Sequence, residues 1–214
     1  MSSNISDTSQ SANPRGRPRG FEQTAALDAA MRVFWAQGYA GASIDVLCRA
    51  MKVPRASLYQ VFGDKQALFM AAISHYGDVR FASIMQPLGG TLDLHSDLMA
   101  FFNGVIEFAT RDDKTLGCLV ASVLSDAAGN DPVMRARFAS EVVKVEVALA
   151  KRIAVAQKQG QITQAPTADD LGMMLAACAR GLMVRARSGC GANKLYPAAK
   201  TAIDLCCRQQ EPRC

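Results

Sequence analysis

The sequence predicts an all-α protein built from a small N-terminal three-helix unit and a larger C-terminal helical domain. Apolar residues recur at helical spacing through most of the 214 residues, and no segment alternates apolar and polar residues as a strand does. Half of the residues are apolar, so a chain of this length can bury a full core in one or two domains. Capping residues and helix-breaking glycines and prolines divide the chain into individual helices.

The segment 1–20 is predicted to form a flexible basic arm. Its arginines, Arg15, Arg17 and Arg19, alternate with prolines and glycines, which oppose helix formation and favour an extended chain. An extended chain that carries arginines can enter a narrow minor groove of DNA. A solvated tail without a partner is the alternative interpretation.

The first helix is predicted from about Phe21 to Gln37, with Gly38 as its stop. Its inner face consists of the apolar residues Leu27, Ala30, Met31 and Phe34. Two short helices joined by a tight turn follow. The first of this pair carries an apolar stripe formed by Ile44, Leu47, Cys48 and Met51. Pro54 suits the first turn of the second, where its missing N–H is not needed.

The second short helix has two unlike faces. One side is expected to carry Ser57, Leu58, Val61 and Phe62, with Leu58 and Phe62 packed inward. The opposite side carries Arg55, Ala56, Tyr59 and Gln60. A guanidinium, a phenol and an amide therefore face a partner, and DNA suits such a surface. An ordinary helical hairpin in a helical protein is the alternative, because helix pairs are common.

This region resembles the helix-turn-helix of the tetracycline-repressor (TetR) family of bacterial transcriptional regulators. The matching residues are Gly38, Tyr39, Ser43, Val53, Arg55, Ser57, Leu58, Tyr59, Phe62, Asp64, Lys65 and Leu68, and the run from Ser57 to Lys65 is the most diagnostic. The resemblance implies that Arg55 contacts base edges or phosphates and that Tyr59 and Lys65 hold phosphates. It also implies that Ser43 anchors its helix on the DNA backbone. With Ala56, Ser57 and Gln60, these residues and the three arginines of the arm are the predicted DNA contacts.

Three positions depart from the family pattern. Ala42 stands where a capping threonine is usual, which leaves the cap to Ser43. Lys52 replaces the glycine of the turn, and Pro54 replaces a capping serine. These departures concern local geometry and leave the motif itself intact.

The rest of the chain is divided by its caps and loops. The helix-turn-helix unit is predicted over 21–66, and Asp64 is expected to cap a connecting helix over 67–86. A loop at 87–90 then opens a domain over 87–214. The helices expected there run from Ser96 to Thr110, from near Gly117, from Asp131 to about Gln159, from Thr167 to Arg187, and from about Leu195 to Cys207.

The last two helices carry apolar stripes that the resemblance assigns to a dimer. In the family, these helices pair with their mates in a four-helix interface. The residues predicted for that interface are Leu171, Met174, Leu175, Cys178, Leu182, Ala199, Ala202 and Ile203. Two ordinary core helices are the alternative, because a buried stripe does not indicate whose chain covers it.

The resemblance also implies an effector pocket in the C-terminal domain. The predicted lining residues are Phe101, Phe102, Val105, Phe108, Cys118 and Met173. Plain core packing is the alternative for all of them. Cys118 lies at the start of a helix, where a thiol can have a lowered pKa and act as a sensor, as in a subset of the family. An inert core thiol is the competing interpretation.

Composition excludes several other classes. The polar N-terminus does not resemble a signal peptide, and no apolar run has the length of a membrane helix, so we expect a soluble cytoplasmic protein. Seven cysteines without framework spacing indicate reduced thiols, and no metal or cofactor is expected.

The predicted function is a homodimeric DNA-binding repressor that is released from a two-fold symmetric operator by an unidentified small molecule, without enzyme activity. A thiol-based redox or electrophile sensor acting through Cys118 is one alternative. A small thiol-dependent enzyme using His75 or His95, and a protein-interaction module, are alternatives of other classes.

Overall fold

The chain folds into helices alone, as the sequence predicts, within the residues that the structure describes. The computed structural model describes residues 19–90, 92–112 and 116–208. The α-helices of these residues are α1 (Arg19–Gly41), α2 (Ile44–Met51), α3 (Arg55–Phe62), α4 (Lys65–Tyr76), α5 (Ala82–Met85), α6 (Leu94–Thr110), α7 (Ser125–Ala128), α8 (Pro132–Lys158), α9 (Ala168–Arg187) and α10 (Ala192–Cys207). Each of these helices is too short or too polar to span a bilayer.

The N-terminal unit consists of α1, α2 and α3 packed around apolar side chains. Phe34, Leu47 and Leu58, one from each helix, are fully buried, and Phe69 of α4 packs edge-on against Phe34. Phe62, which was predicted to pack inward, is half-buried, and Val61 on the same side of α3 is 57% exposed. In this eight-residue helix Leu58 alone is buried, because α3 contacts the unit along one narrow edge.

The three positions that depart from the family pattern, Ala42, Lys52 and Pro54, lie at the ends of α2 and α3. Ser43 caps α2, since its Oγ accepts a hydrogen bond from the Val46 amide at 3.3 Å, as predicted. Ala42 is fully buried. Lys52 adopts the left-handed conformation with φ of 57°, which a glycine would adopt with less strain. Pro54 is the residue before the first turn of α3, one position earlier than predicted, and its side chain provides no cap.

The first helix begins earlier than predicted. Arg19 and Gly20 belong to α1 and not to the arm. Gly38 has φ of 71° and kinks the helix at the predicted stop, after which helical structure continues to Gly41. Arg15 and Arg17 lie outside the described residues.

A helical connection leads from the N-terminal unit into the rest of the protein. Asp64 caps α4, as predicted, by accepting a hydrogen bond from the Ala67 amide at 2.7 Å. A π-helical turn (Gly77–Phe81) joins α4 to α5, and a 3-10 turn (Gln86–Gly89) ends the connection.

The C-terminal domain consists of α6 to α10, with α6 at its centre. The fully buried residues of α6 are Leu98, Phe101, Phe102, Val105 and Ile106. α9 packs along α8, and a Cβ at Gly172 would lie 2.9 Å from backbone atoms of α8, so a glycine permits this close approach. Asp131 and Thr167 cap α8 and α9 as predicted. The helix expected near Gly117 is a π-helical turn (Val120–Leu124) followed by the short α7.

Candidate DNA-binding surface and interior cavity

The outer face of α3 presents most of the predicted DNA contacts to solvent. Arg55, Ala56, Tyr59 and Gln60 are exposed, whereas Ser57 is half-buried. Tyr59 is 46% exposed on a helix that the buried Leu58 fixes against the unit. A rigid helix with exposed polar side chains is the element that enters a DNA groove in helix-turn-helix proteins.

Arg55 has a partner that the sequence did not suggest. Its Nε lies 3.1 Å from Oδ1 of Asp45, in the first turn of α2. Both side chains are well exposed, so the pair contributes little to stability. The contact brings the first turns of α2 and α3 together, with the exposed Ser43 as the cap of α2.

Lys65 lies beside the end of α1. Its Nζ lies 4.6 Å from the centre of the Tyr39 ring and donates to the Ala40 carbonyl at 3.4 Å. Partial burial lowers the pKa of the Lys65 ammonium. The pKa of Tyr39 is raised, first by burial and then by the carboxylates of Asp131 and Asp64.

A cavity of about 430 Å³ lies between α4, α6, α8 and α9. Three of the predicted pocket residues, Phe101, Val105 and Cys118, line it. Its polar lining residues were not predicted: they are Ser74, Tyr76, Asp78, Arg137, Glu141, Lys144 and Arg180. The volume lies within the range of small-molecule sites.

The other three predicted pocket residues lie elsewhere. Phe102 is fully buried and packs edge-on against Phe101. Phe108 packs against the rings of Trp35 and Tyr76, outside the cavity lining. Met173 is 59% exposed near the start of α9. Helical spacing placed these residues on apolar faces, but it could not indicate which part of a face borders open space.

Arg137 and Glu141 form a charged cluster in the cavity wall. Nη2 of Arg137 donates to Oγ of Ser74 at 3.1 Å and contacts Oε1 of Glu141 at 2.9 Å. Lys144 contacts the same carboxylate oxygen at 2.8 Å. Nε of Arg137 is buried and has no hydrogen-bond partner among the described residues. Arg180, from α9, contacts Glu146 at 3.1 Å.

Cys118 is buried against Tyr76. The Tyr76 hydroxyl donates to its Sγ at 3.1 Å. Burial raises the pKa of the Cys118 thiol, and the hydrogen bond from Tyr76 opposes that shift only in part. The lowered pKa considered from the sequence is therefore wrong, because removal of the thiol from water outweighs its position before a helix.

Aromatic packing joins the cavity wall to the N-terminal unit. Tyr76 meets Trp35 of α1 edge-on, with ring centres 5.4 Å apart. Trp35 Nε1 donates to the Leu116 carbonyl at 3.3 Å, and Arg187 donates to the Trp35 carbonyl at 3.4 Å. Trp35 thus contacts both the cavity wall and the end of α9.

Two segments of the chain match known protein families. Residues 26–72 match the family described as bacterial regulatory proteins, tetR family. Residues 96–200 match the tetracyclin repressor-like C-terminal domain. The chain is also 30% identical over 197 residues to the HTH-type transcriptional repressor ComR of Escherichia coli K12, covering 89% of this chain and 91% of ComR. The protein belongs to the TetR family of transcriptional regulators.

Two further relatives agree with this assignment. The transcriptional regulator AcuR of Cereibacter sphaeroides is 29% identical, over 51% of this chain and 52% of AcuR. A cysteine mutant of the TetR family regulator CifR, solved with 26-base-pair operator DNA, has a TM-score of 0.79 and 27% identity. It covers 87% of this chain and 98% of CifR. These similarities confirm the all-α architecture and the regulator class.

Most residues predicted for the dimer interface of this TetR-family protein lie in its own core. Leu171, Leu175, Leu182, Ala199 and Ile203 are buried within the single chain, so they are not available to a second copy. Cys178 and Ala202 are half-buried, and Met174 is exposed. The apolar residues left exposed on α9 and α10 are Met173, Met174, Ala177, Val184, Pro197, Ala198 and Leu205.

The histidines of this regulator have carboxylate partners. His75 contacts Asp28 at 2.9 Å, and His95 contacts Asp204 at 3.0 Å. Cys118 has the Tyr76 hydroxyl as its side-chain partner, and not a histidine that would activate a thiol nucleophile. Across the described residues, no group of three or more histidine, cysteine or acidic side chains could hold a metal ion.

Proposed function

We propose that this TetR-family regulator is a homodimeric repressor that binds a two-fold symmetric DNA operator and is released by a small molecule. The observation that carries the proposal is the exposed outer face of α3, with Arg55, Tyr59 and Gln60 above the buried Leu58. ComR, its relative, is a transcriptional repressor, and CifR has been solved on operator DNA.

The proposed DNA contacts are of two kinds: some recognise a base, and others bind the phosphate backbone. Arg55 reads a base edge, as arginine does at guanine, and exchanges its Asp45 partner for that contact. Tyr59 and Lys65 hold phosphates, and Ser43 anchors α2 on the backbone. The surface that faces the groove also includes Ala56, Ser57 and Gln60.

The N-terminal arm is proposed to add contacts in the minor groove. These contacts come from Arg15 and Arg17, and Arg19 contributes a charge at the start of α1.

The proposed dimer uses the exposed apolar faces of α9 and α10. Met173, Met174 and Val184 are exposed apolar side chains that a second copy would remove from water. In the fold α3 packs against α2 and α4, whereas α9 and α10 pack against α6 and each other, so a dimer formed through α9 and α10 leaves both α3 helices open to DNA. A dimer matches a two-fold operator, because each protomer reads one half-site.

Release follows from the position of the cavity. A ligand in contact with Tyr76 changes the packing of that ring on Trp35, and Trp35 belongs to the helix that supports the N-terminal unit. Closely packed rings transmit such a change because they leave no room to absorb it. The spacing of the two α3 helices then no longer fits one turn of DNA.

A thiol-based sensor is a second candidate, because Cys118 lines the same cavity. An electrophile that enters the cavity meets this thiol beside Tyr76. Modification of Sγ would add bulk at the contact that leads to Trp35. In this version the ligand reacts with the protein instead of binding reversibly.

The proposal is tested with duplex DNA selected from a random pool by the full-length protein. A repressor of this kind enriches a palindromic sequence, binds it as a dimer in light scattering, and loses affinity steeply as salt increases. Enrichment of no sequence, or binding by a monomer, would contradict the proposal. Arg55→Ala serves as the loss variant, and Arg111→Ala, which removes an exposed arginine at the end of α6, is the matched control.

A further inference from the structure

The cavity wall contains an arginine whose hydrogen bonds are incomplete. Nη2 of Arg137 has two acceptors, Ser74 and Glu141, whereas the buried Nε has none among the described residues. A buried donor without an acceptor is costly, and the cost is larger for a charged group. One N–H donor of the Arg137 guanidinium, at Nε, therefore has no acceptor among the described residues.

The cluster around Arg137 also has a surplus of positive charge. Two cations, Arg137 and Lys144, share the single carboxylate of Glu141. Arg180 has a carboxylate of its own in Glu146. The remaining acidic residue of the lining, Asp78, is exposed, so solvent screens it.

Much of the remaining lining is apolar. Outside the cluster, the polar lining residue Tyr76 already donates its hydroxyl to Cys118, and Asp78 is exposed. The apolar lining residues include Phe81, Met85, Phe101, Val105, Val142 and Met183. A ligand that fits has an apolar body and a polar group at one end. Small-molecule sites commonly combine such a lining with a few polar groups that fix orientation.

We propose that the ligand of this cavity is a compact organic acid, with its carboxylate on Arg137 and its hydrocarbon or aromatic body against the apolar wall. This inference rests on the proposed effector role of the cavity and specifies its ligand. A carboxylate presents two oxygens to the edge of a guanidinium, which no single hydroxyl or carbonyl does. Because Nε is shielded, the guanidinium turns toward the cavity on binding, and the second carboxylate oxygen makes that turn favourable.

The test uses three probes with the same body: 4-phenylbutyrate, 4-phenylbutan-1-ol and 4-phenylbutylamine. Calorimetric titration of the full-length protein is expected to give about tenfold tighter binding for the acid than for the alcohol, and no binding of the amine. Arg137→Met is expected to remove the preference for the acid and keep the binding of the alcohol. Glu141→Gln is expected to increase the preference, because it removes the competing carboxylate.

Lys151→Met is the matched control, because this exposed cation lies on the outer side of α8 and outside the cavity. It is expected to leave the preference unchanged, and thermal unfolding checks that each variant is folded. Equal binding of acid and alcohol, or an acid preference that survives in folded Arg137→Met, would overturn the ligand class alone. Absence of binding by all three probes would overturn the ligand class and the effector cavity together.

A separate measurement distinguishes the ligand class from the proposed function. Operator binding is followed by fluorescence anisotropy as 4-phenylbutyrate is added. Release of DNA by the acid, and not by the alcohol at the same concentration, supports both the ligand class and the proposed effector-released regulator. Tight binding of the acid without release of DNA supports the ligand class but contradicts the proposal that the ligand releases the regulator from its operator.

Discussion

The outer surface of the N-terminal unit carries an exposed ion pair, whereas the interior of the C-terminal domain contains a buried one. Arg55 and Asp45 pair at 3.1 Å with both side chains mostly exposed. Arg152 and Asp97 pair at 2.6 Å with both side chains almost completely buried. Water can replace either partner of the first pair, whereas nothing replaces a partner lost from the second.

This difference assigns different tasks to the two regions. An exposed arginine exchanges a weak carboxylate contact for a phosphate or a base at little cost, which is what a DNA-binding surface requires. Buried charges such as Arg152 and Asp97 fix the geometry of a domain. The half-buried Arg137 lines the cavity and has a buried Nε without an acceptor among the described residues, so it favours a ligand that completes its hydrogen bonds. Substitutions on the surface should therefore change DNA affinity, and those in the interior should change stability or ligand choice.

The largest effect is expected at the buried ion pair. Arg152→Met leaves the Asp97 carboxylate buried without its cation, and the free energy of unfolding should fall by about 3–5 kcal/mol. Urea denaturation measures the change, with the neighbouring exposed Lys151→Met as the control. Adding Asp97→Leu to Arg152→Met should recover much of the loss, because no charge is then left unpaired. A loss as small as that of the control would remove the contrast between the two regions.

The next effect concerns base reading on α3. Arg55→Ala should weaken binding of the selected operator by about 1–3 kcal/mol and relax discrimination at one position of each half-site. Tyr59→Phe should weaken operator and scrambled duplexes similarly, because phosphates are the same in both. Affinities of both variants for both duplexes decide the matter. An unchanged ratio in Arg55→Ala would mean that this side chain does not read bases.

Deletion of 1–18 should affect the salt dependence of binding. The deletion removes Arg15 and Arg17 and keeps Arg19, the first residue of α1. If both arginines contact phosphates, the slope of log affinity against log salt should become shallower by up to about two. Binding titrations between low and high salt measure the slope. The same slope in both proteins would indicate that residues 1–18 form a tail without a DNA contact.

The Cys118 thiol should react slowly at neutral pH. Its pKa is raised by burial, so less thiolate is present at pH 7 than for an ordinary thiol, and alkylation should accelerate as pH rises toward that pKa. Iodoacetamide labelling followed by mass spectrometry should show Cys118 about tenfold or more behind the half-buried Cys190 at pH 7. Tyr76→Phe should not speed the reaction, since it removes a hydrogen bond that favours the thiolate. Fast labelling of Cys118 would support the thiol sensor instead.

Local signals in the sequence predicted the helices and their caps. Ser43, Asp64, Asp131 and Thr167 cap the helices that they were expected to cap, because a cap depends on three or four neighbouring residues. The exposed face of α3 could be predicted for the same reason.

The partners of apolar faces could not be predicted in this way. Periodicity shows that Leu175 and Ile203 are buried, but not that their own chain buries them. The cavity cluster depends on Ser74 and Arg137, which lie on α4 and α8 and meet only through the tertiary fold. Met173 was predicted to line the cavity because it is apolar, yet the neighbouring helices do not reach it.

The smallest effect is expected from the partner of Arg55. Asp45→Asn removes a carboxylate that competes with DNA for the guanidinium, and also removes a negative charge close to the expected phosphates. Affinity for operator and scrambled duplexes should rise by less than about 1 kcal/mol, with the same gain for both, because an exposed pair is weak and Asp45 reads no base. Asp169→Asn is the matched control, since it makes the same charge change on an exposed residue of α9. Weaker DNA binding in Asp45→Asn would mean that the carboxylate positions Arg55 for its contact, and the exposed pair would then have a structural role like that of the buried one.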